Sequence, residues 1–116
     1  TIYIVTPEFN GNGQLMFRDN IQHMVRNRNV VILMGSITTG ETLRKCMESI
    51  LYYGGTIQGV SAIFSAVNKV AGLDINAVFY KKDVPNYQTH KASECPMCKT
   101  GQKLDAIVNG YGYSKL

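Results

Sequence analysis

No run of apolar residues in the sequence approaches the roughly 18 that a membrane-crossing helix requires. The longest, Val30 to Met34, is the length of a strand. A secretory leader is also missing, and three cysteines, Cys46, Cys95 and Cys98, are an odd count for the disulfide framework of a small secreted domain. A soluble, cytoplasmic protein without a membrane partner is therefore expected. Basic residues are in excess, giving a net charge of +4, yet they form no dense run and lack the interleaved aromatics of a single-strand platform. A diffuse excess of this kind argues against a nucleic-acid partner and suits a small phosphorylated ligand. Charged residues at 17% against 45% hydrophobic exclude a disordered chain, and no internal repeat is visible. A chain of 116 residues fits one domain, residues 1–116, with a modest core.

The order of elements predicts an α/β fold. Ile2 to Val5 reads as a buried strand with no Met or leader ahead of it, which predicts a truncated domain whose neighbouring strands lie upstream. Glu8 to Gln14 is a Gly/Asn turn cluster, and Asn20 to Val25, capped by Asp19, has helical spacing. Val30-Val31-Ile32-Leu33-Met34 has the unbroken apolarity of a central parallel strand covered on both faces. From Glu41 onward the pattern is helical, with Leu43, Met47, Ile50 and Leu51 as its apolar stripe and Gly54-Gly55 as its stop. Thr56 to Phe64 is the next strand, so Val30 to Phe64 has the make-up of a βαβ crossover. Ser65 to Gly72 reads as a short helix or loop, Ile75 to Tyr80 as a strand, and the remainder as loop and tail. The expectation is a Rossmann-like, three-layer architecture with a mostly parallel sheet and the ligand at the C-terminal ends of its strands.

The segment with chemical character is Ser36-Ile37-Thr38-Thr39-Gly40-Glu41-Thr42, where a buried strand opens onto a helix. Amides at a helix start have no intrahelical partner and carry the positive end of the macrodipole, and glycine allows close approach of an anion. Thr38, Thr39 and Thr42 add hydroxyls. The loop has neither the lysine of a nucleotide-binding P-loop nor the glycine spacing of a dinucleotide fold, which excludes those two readings.

Val31 to Leu43 resembles the phosphoribosyl pyrophosphate signature of the type I phosphoribosyltransferases, and orotate phosphoribosyltransferases in particular. In that signature four hydrophobic residues precede two acids, a hydrophobic pair and Thr-Thr-Gly. The resemblance implies that Thr38, Thr39, Gly40, Glu41 and Thr42 wrap the 5′-phosphate of a ribose, with Ser36 and Ile37 shaping the loop. It implies a parent enzyme that displaces pyrophosphate with orotate or a related base, using Mg2+, commonly as a homodimer. The sequence departs from the signature where the two acids are replaced by Met34 and Gly35. Losing such a group removes roughly 3 kcal/mol of transition-state stabilisation, about a hundredfold in rate. The expectation is thus a phosphate-gripping stretch, inactive alone, of a longer enzyme. The alternative is a non-catalytic regulatory module that senses phosphorylated ribose.

Further points of resemblance are Tyr53 to Val60, which matches the family's helix-to-strand turn, and Cys95-Pro96-Met97-Cys98, which is similar to the tail of many orotate enzymes. The loop holding Asn10, Gly11, Asn12 and Gly13 occupies the place of the family's mobile catalytic hood, although it offers no Lys or His, and Arg18 is its nearest cation. Cys95 and Cys98 also have the spacing of half a zinc knuckle, with His90 as a third ligand; a redox pair and turn-forming thiols are the other readings, the last being the default. The tail from Asn109 to Leu116 would either stack a tyrosine on a base or dock on a surface, the latter preferred.

Overall fold

A computed structural model describes residues 1–116. In chain order the elements are β1 (Glu8–Phe9), β2 (Leu15–Met16), β3 (Asn29–Ile37), α1 (Glu41–Tyr52), β4 (Thr56–Ser65), β5 (Lys69–Val70), β6 (Leu73–Tyr80), α2 (Pro96–Lys99), β7 (Ala106–Asn109) and β8 (Gly112–Lys115). The central sheet has the order β3-β4-β6-β5. β3 runs parallel to β4 and β4 parallel to β6, while β5 turns back antiparallel on β6. α1 joins β3 to β4, so the crossover expected between Val30 and Phe64 is formed, in a mixed α/β fold.

Alternation along the strands decides most of what meets the helix. Ile32 of β3, Val60 and Ala62 of β4, and Ile75 of β6 share one phase of their strands and are buried with Leu43, Cys46, Met47 and Ile50 of α1; Ile37, out of that phase, is buried at the end of β3. Spacings of three and four residues place those four on one helical face. Leu51, expected in the stripe, falls outside it and is 60% exposed; Cys46 takes the place. The helix ends as Gly54-Gly55 predicts. Gly54, at φ +82°, lets its N–H donate to Leu51 O and that of Gly55 to Ile50 O, which closes the last turn.

The three-layer expectation is corrected. Only one face of the sheet is covered, and Leu33 and Val78 on the other are 78% and 70% exposed, alongside Val31 and Ile63. Val30 to Met34 has the apolarity of a strand buried twice, but the segments following Tyr80 are one-turn helices and a hairpin, too short to lay down a second layer. Ile2 to Val5 is likewise not a strand: it has no paired neighbour, and Ile2 and Ile4 face solvent. Asn20 to Val25 contains a single 3-10 turn, Gln22–Met24. Lys69 and Val70, placed in a helix or loop by sequence, form the short antiparallel strand β5. The C-terminal tail is an exposed hairpin of β7 and β8.

Tyr80 acts at the sheet edge. Its hydroxyl donates to Ile75 O at 2.7 Å and accepts from Ala77 N–H at 3.0 Å, occupying main-chain groups that β5 is too short to pair.

Candidate phosphate-binding site

β3 ends at Ile37, and α1 starts at Glu41, so Thr38, Thr39 and Gly40 alone make the turn between them. The end of β3 is fixed from beside and below. Ala66 N–H donates to Ile37 O at 2.8 Å, and the Ile37 side chain is buried in the core. Ser65, fully buried, donates from Oγ to Val67 O at 2.6 Å and accepts from Val67 N–H at 3.3 Å, which shapes the chain where it leaves β4. Gly40 is buried with φ +87° and stands at the cap position of α1, where it offers no side chain to the helix amides.

The consequence is a set of open donors. Arg44 N–H is the first in α1 to donate along the helix, to Gly40 O at 2.9 Å. The N–H groups of Thr38, Thr39, Gly40, Thr42 and Leu43 have no acceptor, and that of Glu41 has only a long 3.4 Å contact to Thr39 Oγ1. Together with Met34 and Ser36, these residues line a cup of about 50 Å³. Sites that enclose a whole small-molecule ligand run to about 300–1,000 Å³, so this cup accepts one end of a ligand. Thr38, Thr39 and Thr42 are exposed at its rim.

All seven residues from Ser36 to Thr42 named from the sequence therefore come together around one concavity. The supports beneath it, Ala66 and Val70, were not legible: each lies far along the chain in a segment without local signal, and only the sheet brings it under the loop. Met34 lines the cup where the signature has an acid, and a side chain built on Gly35 would meet open space. Glu41 is the single carboxylate among the lining residues. Magnesium sites draw on carboxylates together with substrate phosphates, so this wall does not fit a protein-held magnesium ion.

The other residues singled out lie in separate places. Asn10 to Gly13 form the turn of the β1-β2 hairpin, in which Asn10 Oδ1 accepts from Asn12 N–H at 2.9 Å and Gln14 N–H at 3.0 Å. Arg18 is engaged by Glu8, Nε to Oε2 at 2.6 Å. His90 contacts Gln88, and no group of three or more His, Cys, Asp or Glu side chains comes together that would hold a metal, so His90 does not join Cys95 and Cys98. Cys46 lies on the buried face of α1, against the sheet, where burial pushes its thiol pKa up.

No protein-family profile matches the chain. Over 78 residues it is 32% identical to an orotate phosphoribosyltransferase of Chlorobaculum parvum. That stretch is 66% of this chain and 39% of the relative's length, so the chain spans about two fifths of the protein it matches. The chain is distantly related to the phosphoribosyltransferases. No helix is long and apolar enough to cross a membrane.

Proposed function

We propose that the Ser36 to Thr42 loop grips the phosphate of phosphoribosyl pyrophosphate or a nucleoside monophosphate, within a protein that transfers phosphoribosyl to orotate or a related base. The observation that carries this reading is the row of unpartnered amides from Thr38 to Leu43 around a cup sized for one end of a ligand. A phosphate ester at neutral pH carries close to two negative charges and several strong acceptors, which is what such donors at a helix start complement. The distant orotate phosphoribosyltransferase relationship supports a phosphorylated ribose as the substrate class. Magnesium then comes with the diphosphate of the ligand, since the cup wall provides one carboxylate only. A cytoplasmic homodimer, without nucleic acid or membrane, is the assembly that accompanies this reading.

Met34 and Gly35 support a second reading. With no carboxylate at the end of β3 to hold ribose hydroxyls or a developing positive charge, the same cup suits a sensor of phosphorylated ribose. Calorimetry with phosphoribosyl pyrophosphate, followed by an assay of pyrophosphate release on adding orotate, separates the two. Binding with release supports the transferase; binding without release supports the sensor. Failure to bind either phosphoribosyl pyrophosphate or a nucleoside monophosphate contradicts both.

A further inference from the structure

Cys95 and Cys98 belong to no part of the phosphate cup. Cys95 immediately precedes α2, and Lys99 N–H donates to Cys95 O while Thr100 N–H donates to Pro96 O, both at 3.1 Å. One helical turn therefore carries both cysteines on the same side. Side chains three apart on such a turn have Cβ atoms about 5–6 Å apart, and a disulfide holds its Cβ atoms about 3.5–4.5 Å apart, so closure draws the two residues together by about 1–2 Å. Both thiols are free; Cys98 is exposed and Cys95 partly so, whereas Cys46 is buried.

The two are not equivalent. The Cys98 amide and thiol, and then the Met97 amide, face the Cys95 sulfur and hold its pKa below the ordinary thiol value, while Cys95 pushes that of Cys98 up. Nothing else in the chain joins them to complete the four-coordinate shell of a structural zinc. A dithiol couple needs no third residue.

We propose that Cys95 and Cys98 form a reversible dithiol/disulfide couple that exchanges with low-molecular-weight disulfides, Cys95 attacking and Cys98 resolving. The Cys95 thiolate attacks one sulfur of the small disulfide, the S–S bond breaks, and one small thiolate leaves with the electron pair. The Cys98 thiol then gives its proton to solvent and attacks Cys95 Sγ, expelling the second small thiolate. The protein dithiol is oxidised by two electrons and the small disulfide is reduced to two thiols. This couple stands independently of the phosphate cup.

The test treats the whole chain with glutathione disulfide and follows the products by intact mass and peptide mapping. The expected product is a Cys95–Cys98 disulfide with Cys46 still reduced. Cys98→Ser is expected to halt at a mixed disulfide on Cys95, and Cys95→Ser to form its adduct on Cys98 more slowly, as thiolate availability directs. Equal rates in the two variants, or a wild-type chain that stops at the mixed disulfide, overturn the proposal. So does uptake by the reduced chain of one zinc ion per two chains that leaves both thiols unreactive towards glutathione disulfide, which would make the pair half of a shared metal site.

Discussion

A Cβ placed on Gly40 would lie 2.8 Å from Cγ2 of Val70 and 3.4 Å from its Cγ1. Val70 is buried, on the short strand β5, and Gly40 is held at φ +87° above it. Two independent constraints thus act at one residue: side chains other than glycine are strained at that φ, and the space for them is already filled.

Gly40→Ala is accordingly expected to cost about 1–3 kcal/mol of stability and to displace the amides on either side of it. Thermal unfolding gives the first and phosphate titration the second. Val70→Ala in the Gly40→Ala background should recover part of the loss, with a coupling of about 1 kcal/mol between the sites. Additive effects would show that Val70 does not hold the loop.

Ser49 is buried in α1 and its hydroxyl has no hydrogen-bond partner. An unsatisfied buried hydroxyl costs about 1–3 kcal/mol, and alanine has the higher helix propensity. Ser49→Ala should therefore raise the denaturation midpoint, by an amount equivalent to about 1 kcal/mol. A fall in the midpoint would mean that the hydroxyl is satisfied in solution.

Cys46 supplies a pH dependence with a definite sign. Burial raises its pKa in the folded chain, so the folded state keeps a proton that the unfolded state gives up first. Its contribution to stability is fully present below the unfolded thiol pKa and is lost as pH rises through the folded value. Stability of the native chain should decline through that alkaline window more steeply than that of Cys46→Ala, measured as the difference between the two denaturation curves. Parallel curves would contradict the assignment.

The parts that were legible in the sequence are those whose physics is local. The apolar run from Val30 to Met34, the helical stripe around Leu43, Met47 and Ile50, and the Gly54-Gly55 stop each depend on neighbours within a few residues, and each forms where expected. So does the turn from Ser36 to Thr42, because strand, glycine and helix start are contiguous. What was not legible depends on partners distant in the chain. Lys69 and Val70 become a strand only because Asp74 and Leu73 return beside them, and Ile2 to Val5 fails to become one because no strand lies alongside. The second face of the sheet misled for a related reason: Leu33 and Val78 have the composition of buried residues, and composition does not state which segment covers them. The tail becomes a hairpin because Asn109 pairs with Gly112 across the two-residue loop Gly110-Tyr111.

The amides of Thr38, Thr39, Gly40, Thr42 and Leu43 are the groups on which the phosphate reading rests, and amide-resolved NMR observes each of them. Titration of the whole chain with ribose 5-phosphate should move these resonances, saturably and together, while those of the β7-β8 hairpin stay in place. The shifts should weaken as pH falls through the second phosphate pKa, near about 6. Shifts confined to other residues, or none at ligand concentrations that saturate phosphate-binding loops, would contradict the account.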